Sequence, residues 1–183
     1  MALKLNQKNE YRQIDKHKIP IFREFYGSNV AQMPELIKAG RTPVSFAGVI
    51  QRRLNLRNGQ KDVKDAWMNN YFDTGDAVVY NPEGETLVVL DSQNLRDMTA
   101  ESPRNGGALL LNSDRDKAFA DYEQLKKSPN VVAFKKGKLG KVNEALSREE
   151  VKAHAVWKIL SRDQALLNDA VDYTFNEYKQ RFA

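Results

Sequence analysis

The chain contains no cysteine. Disulfides, thiolate-held metals and a cysteine nucleophile are excluded by that alone. Histidine is scarce: only His17 and His154 occur. His17 sits in the lysine-rich DKHK, and His154 in AHAVW, beside the apolar face of an expected helix. Neither has a second histidine or a carboxylate at a recognised ligand spacing. No G-x-S-x-G elbow marks a serine nucleophile. No apolar run approaches the roughly 20 residues of a spanning helix. The opening MALKLNQKNEYRQ lacks the apolar core of a secretory signal. The expectation is a cytoplasmic protein with no membrane insertion. Repeats and low-complexity segments are also missing.

What is present is 183 residues, 41% hydrophobic and 29% charged, the balance of a globular chain able to bury a core unaided. We read residues 1–183 as one α+β domain: a mainly helical, basic part at 1–70, a sheet-containing core at 71–134, and C-terminal helices at 147–182. Charge follows this division. Residues 1–60 hold 11 Lys/Arg against 4 Asp/Glu, residues 61–105 hold 4 against 9, and residues 106–183 hold 14 against 11, which sums to the net +5 of the chain. A basic segment followed by an acidic one suits an anionic partner, while the plainer reading is a solvated surface.

Periodicity and punctuation outline the elements. Tyr11, Ile14 and Lys18 lie at helical spacing before Pro20, and Phe22, Phe25 and Tyr26 form an aromatic cluster. PELIKAG (34–40) reads as a helix with Pro34 in its first turn and Gly40 as its C-terminal cap. Thr42-Pro43 then opens a helix over 44–54 with Phe46, Val49, Ile50 and Leu54 on one face and Gln51, Arg52 and Arg53 largely away from it. Residues 61–70 predict a short helix buried through Val63, Trp67 and Met68. Ala77–Tyr80 and Thr86–Leu90 are β-rich runs around the loop 81–85, the composition of a hairpin. Their unbroken apolarity predicts cover on both faces. Strands at 108–111 and 131–134 complete a sheet of three or four strands, at least partly antiparallel. Between them, Ser113 with Asp116 opens a helix carrying Phe119, Tyr122 and Leu125. Ser147 with Glu150, and Ser161 with Gln164, are capping boxes. They open two helices, the second with Leu167, Val171, Thr174, Tyr178 and Phe182 in one stripe.

Four constellations bear on function. Residues 34–57 form a helix–turn–helix-like unit. Gln51, Arg52 and Arg53 lie late on the second helix, with Arg57 just beyond it and Arg41 just before, a placement that suits phosphate neutralisation better than base readout. A second anion-binding set is Lys135, Lys136, Lys138 and Lys141 in the basic glycine-bearing loop 135–141. That loop is no P-loop: only two residues lie between its glycines and no Ser/Thr follows the last lysine. Third, Asp73, Asp76 and Asp91 end the hairpin strands. The antiparallel register brings Asp76 and Asp91 to one end, where oxygen ligands suit Mg²⁺, with Asp97 and Glu101 following. The alternative is that these residues simply cap and turn the chain. Fourth, Asp73-Thr74-Gly75 is the triplet of aspartic proteases, but Asp76 follows it and no second motif supports it, so it reads as a turn. The preferred expectation is a non-enzymatic binding module for nucleic acid or an acidic protein. The alternatives are an Mg²⁺-dependent hydrolase or nuclease built on Asp73, Asp76 and Asp91, and an accessory protein that oligomerises through its C-terminal helices. No catalytic residue is assigned beyond these.

Overall fold

The computed structural model describes residues 4–5, 10–12, 23–25, 27–70, 72–106, 108–139 and 145–182, with side chains described from 27 to 177 within that range. Chain order runs β1 (Lys4–Leu5), β2 (Glu10–Arg12), β3 (Arg23–Phe25), α1 (Asn29–Lys38), α2 (Phe46–Asn55), α3 (Lys61–Asn69), β4 (Ala77–Tyr80), β5 (Thr86–Val89), α4 (Gln93–Arg96), β6 (Arg104–Asn105), β7 (Ala108–Leu109), α5 (Arg115–Leu125), β8 (Val131–Phe134), α6 (Arg148–Ala153), α7 (Ala155–Ser161) and α8 (Gln164–Phe182). The fold is α+β, as its elements predict. The central sheet is antiparallel in the order β4-β5-β8; a small hairpin β6-β7 and an N-terminal sheet β1-β2-β3 are separate from it.

The middle strand explains the layering. All four residues of β5 are buried. Leu87 and Val89 pack with Ala77, Val79 and Val131 against Tyr122 and Leu125 of α5. Val88 packs with Val78 and Phe134 against Val156 and Leu160 of α7 and Phe46 of α2. Alternate side chains thus enter opposite helical layers, which is why the run is apolar without a break. Leu87, Val88 and Val89 each contribute about 2 kcal/mol by leaving water. On the α7 side, Ile50 and Leu54 of α2 meet Ala170 of α8. Asp172 of α8 takes Lys152 of α6 at 2.7 Å.

The hairpin is closed by a type I turn with a left-handed bulge residue. Gly84 N–H donates to the Asn81 carbonyl at 3.0 Å, and Asn81 N–H to the Glu85 carbonyl at 3.0 Å. Gly84 lies at φ +88, a conformation that favours glycine.

Several boundaries differ from expectation, each for a physical reason. Helix α1 begins at Asn29, so Pro34 lies inside it. Val30 and Met33 pack on Met98, and that contact extends the helix ahead of the proline. Its end is as expected: Gly40 N–H reaches the Ile37 carbonyl and Arg41 N–H the Leu36 carbonyl, a Schellman closure around a glycine at φ +66. Helix α2 is capped by Ser45, whose Oγ accepts from Gly48 N–H at 3.1 Å, not by Thr42. The expected strand at 108–111 pairs instead with Arg104–Asn105 and stays out of the central sheet. The helix opening at Ser147 has its capping box, but extended backbone at His154 divides it into α6 and α7. Asp163 caps α8 in place of Ser161, accepting from Leu166 N–H at 2.7 Å, while Ser161 is fully buried. Tyr11 falls in a strand, not a helix. Ile14, Lys18, the N-terminal aromatic side chains, Tyr178 and Phe182 lie outside the described residues or side chains.

Candidate functional site

The hairpin register pairs Ala77 with Val89, which places Asp76 and Asp91 at one end as expected. What surrounds Asp76 is a set of donors. Its side chain is 1% exposed. Oδ2 accepts from Phe46 N–H at 2.7 Å, and Oδ1 accepts from Asp91 N–H at 2.9 Å and from Arg162 Nη2 at 2.9 Å. One carboxylate therefore joins the start of α2, the end of β5 and the α7–α8 turn. The described non-glycine residues at positive φ are Asp91 (φ 54) and Arg162 (φ 61), and both donate to it. The same junction is laced by Gly75 N–H to the Val44 carbonyl at 2.8 Å and Ser92 N–H to the Gly75 carbonyl at 2.7 Å. Gly75 passes so close to Pro43 that a Cβ would sit 3.1 Å from the proline's own Cβ.

The neighbouring carboxylates are engaged differently. Asp91 forms an ion pair with Arg96. That guanidinium, with the charge of Arg162 behind it, holds the Asp91 carboxyl below its ordinary range. Asp73 is exposed and makes no polar contact with Asp76. Asp97 accepts from Gln93 at 2.7 Å, and Glu101 is exposed. Among the described residues no three histidine or carboxylate side chains converge as a metal site would require. His154 forms no part of such a group and lies against Trp157, ring centres 6.4 Å apart.

The arginines of the helix–turn–helix-like unit divide into two kinds. Gln51 and Arg57 are exposed, and Arg41 is half-buried. Arg52 and Arg53, expected to lie largely away from the apolar face, are both half-buried against α3. Arg53 donates to the carbonyls of Trp67 at 2.9 Å and Asn70 at 3.2 Å, and its guanidinium lies 5.8 Å from the Phe72 ring centre. Arg52 lies 5.8 Å from the Trp67 ring centre, and burial lowers its pKa. These two cations stabilise a helix C-terminus and cover aromatic faces. In the lysine loop, Lys135, Lys136 and Lys138 are exposed, and Lys141 lies outside the described residues.

A further feature is one that motif reading misses. A groove of about 530 Å³ runs between β4, the segment 108–112 and one stripe of α5. Its walls are chiefly apolar, and its volume suits a bound group of considerable size. Tyr80 (63% exposed), Phe119 (49%) and Leu110 (36%) all line it and are exposed. Tyr122 forms part of its wall, its hydroxyl donating to Glu85 at 3.3 Å. Burial, then the Glu85 charge, raise the Tyr122 pKa far above that of free tyrosine. Glu85 is itself held by Lys126 at 2.7 Å.

β4 is also an edge strand. Antiparallel neighbours alternate between bonded and non-bonded pairs. With Asn81 bonded to Glu85, the bonded pairs are Val79–Leu87 and Ala77–Val89. Val78 and Tyr80 therefore turn their N–H and C=O groups outward, along the groove. Two charged side chains line it, Arg115 and Glu83. Neither has an ion pair or hydrogen bond with another described residue.

Comparison with known protein families, curated proteins and solved structures returned no match.

Proposed function

We propose that this chain is a non-enzymatic binding module whose site is the groove beside β4 and whose partner is another polypeptide. One observation carries the reading: three exposed large apolar side chains, Tyr80, Leu110 and Phe119, gather on one groove that also runs along an open strand edge. Exposed apolar groups are ordinary singly, but their clustering in a concave site marks a contact surface. Aromatic anchors such as Tyr80 and Phe119 commonly dominate the energy of such contacts. Nucleic-acid contact finds less support, because Arg52 and Arg53 are turned to α3. It would rest on Arg57 and the exposed lysines.

The test is selection of a displayed random-decapeptide library on the protein, with Phe119→Asp and Leu110→Asp as parallel baits. Both positions are exposed, so each variant keeps the fold. Enrichment of apolar peptides on the wild type, with Kd raised about tenfold or more by either variant, supports the reading. No enrichment, or peptides indifferent to both variants, refutes it. Binding of labelled RNA or DNA that falls steeply with salt would return the site to the basic surface.

A further inference from the structure

We infer that the partner enters the groove as an extended strand, adding to β4 through the main-chain groups of Val78 and Tyr80, and that it carries a carboxylate for Arg115. This rests on the groove being the binding site and names the chemistry of its occupant. The argument begins from backbone accounting. Alternate residues of an inner strand bond to opposite neighbours, whereas β4 has, among the described residues, a neighbour on one side only. Val78 and Tyr80 present two N–H and two C=O groups at the two-residue spacing that an extended chain matches. The four residues of β4 span about 13 Å, enough to register a short peptide.

Natural edge strands are usually blunted by charge, proline or a covering segment. β4 reads Ala-Val-Val-Tyr, with no charge and no proline within it. The segment that approaches it, 108–112, does not pair with it and leaves the groove between them. A strand laid on this edge would place alternate side chains toward Phe119 and Tyr122. The other side chains would point away, so only every second residue is selected by the apolar wall.

Charge supplies the second half of the argument. Among the described residues Arg115 is the one cation on the groove, on the α5 stripe that also bears Phe119 and Tyr122. On α5 itself Asp121 meets Asn112, and just beyond it Lys126 meets Glu85. Arg115 has no such answer among the described residues. A guanidinium beside an apolar wall pairs well with a carboxylate. An apolar strand bearing an aspartate, a glutamate or a terminal carboxylate is therefore the occupant that satisfies edge, wall and cation together.

The experiment uses the full chain and the enriched decapeptides, resynthesised with single N-methyl groups along their length. A methyl on an amide facing β4 removes a hydrogen bond and blocks approach, whereas one facing away does neither. The expected result is a Kd raised tenfold or more at alternate positions and little changed between them. Arg115→Glu should weaken acidic peptides by about tenfold and shift a fresh selection toward basic ones. A flat N-methyl profile, with Phe119→Asp still abolishing binding, overturns strand addition and leaves the groove as the site. Loss of dependence on Phe119 overturns both. An N-methyl period of two with no response to Arg115→Glu overturns the acidic partner alone.

Discussion

The two ends of polar organisation around β4 differ in how their hydrogen-bonding groups are used. At its start, the Asp76 carboxylate is buried and its three donors come from three separate elements. Along its outer edge, Val78 and Tyr80 offer main-chain groups that no described strand takes up, beside Arg115 without an ionic partner. A buried polar group with all its partners in the chain belongs to the fold, because leaving any of them unpaired is costly. Polar groups that meet solvent beside exposed aromatics have their partners still to come. The same distinction separates the arginines: Arg53 is spent on α3 carbonyls, and Arg115 is not.

The comparison is broken most directly at Asp76. Asp76→Ala leaves two N–H groups and a guanidinium without their acceptor and should cost about 3–5 kcal/mol, read as a lower urea midpoint. Phe119→Asp, half-exposed on the groove, should change stability by no more than about 0.5 kcal/mol while removing peptide binding. Equal losses in both variants would mean that the groove is structural. Next comes Arg53→Ala. It deprives the Trp67 and Asn70 carbonyls of a charged donor and should cost about 2 kcal/mol. Lysine at that position should not restore it, because one ammonium cannot reproduce the planar fork over Phe72. Arg57→Ala, at an exposed position, should stay within about 0.5 kcal/mol. If Arg53→Ala is silent for stability yet weakens RNA binding, the assignment of that arginine to the fold is wrong.

Much of this architecture is legible locally. The apolar faces of α2, α3 and the C-terminal helices repeat at helical spacing, and the hairpin is written in Asn81, Pro82 and Gly84. Even the approach of Asp76 to Asp91 follows from antiparallel register. What fills the space between them does not, because its donors lie 30 and 86 residues away at Phe46 and Arg162. The part-burial of Arg52 and Arg53 is not legible in this way, because helical period marks apolar burial and is blind to a guanidinium lying over an aromatic ring. The groove has only a faint trace in the sequence. Leu109, Leu110 and Leu111 are consecutive in an extended segment, where neighbours point to opposite sides, so one was bound to stand out from the core. Leu109 packs on the Met33 cluster and Leu111 on the Tyr122 cluster, and Leu110 is the one left exposed.

A smaller effect sharpens the comparison at the groove wall, through pH. Burial raises the Tyr122 hydroxyl, so its stabilising contribution is complete below the ordinary tyrosine value of 10.0 and is lost as pH rises above it. Tyr122→Phe should flatten that alkaline loss. Its partner acts at the other limb. Glu85 is held below the ordinary 4.5, first by its hydrogen bond from Lys126 and then by the Lys126 charge, Tyr122 and Lys135. A depressed carboxyl stabilises above 4.5, and the contribution disappears as pH falls toward the folded-state value. Asp91 beside Arg96 and Asp172 beside Lys152 behave in the same direction, so the acid limb is shared among several pairs. Glu85→Gln should therefore make acid unfolding only slightly shallower, measured as urea midpoints between pH 3 and pH 6. The discriminating readout is peptide binding at neutral pH. Val79, Tyr122 and Leu125 remain packed against β5 without the Glu85 charge, so affinity should be unchanged. A loss of affinity would show instead that the Glu85–Lys126 pair sets the shape of the wall, and that the fixed and open sides of β4 are one coupled system.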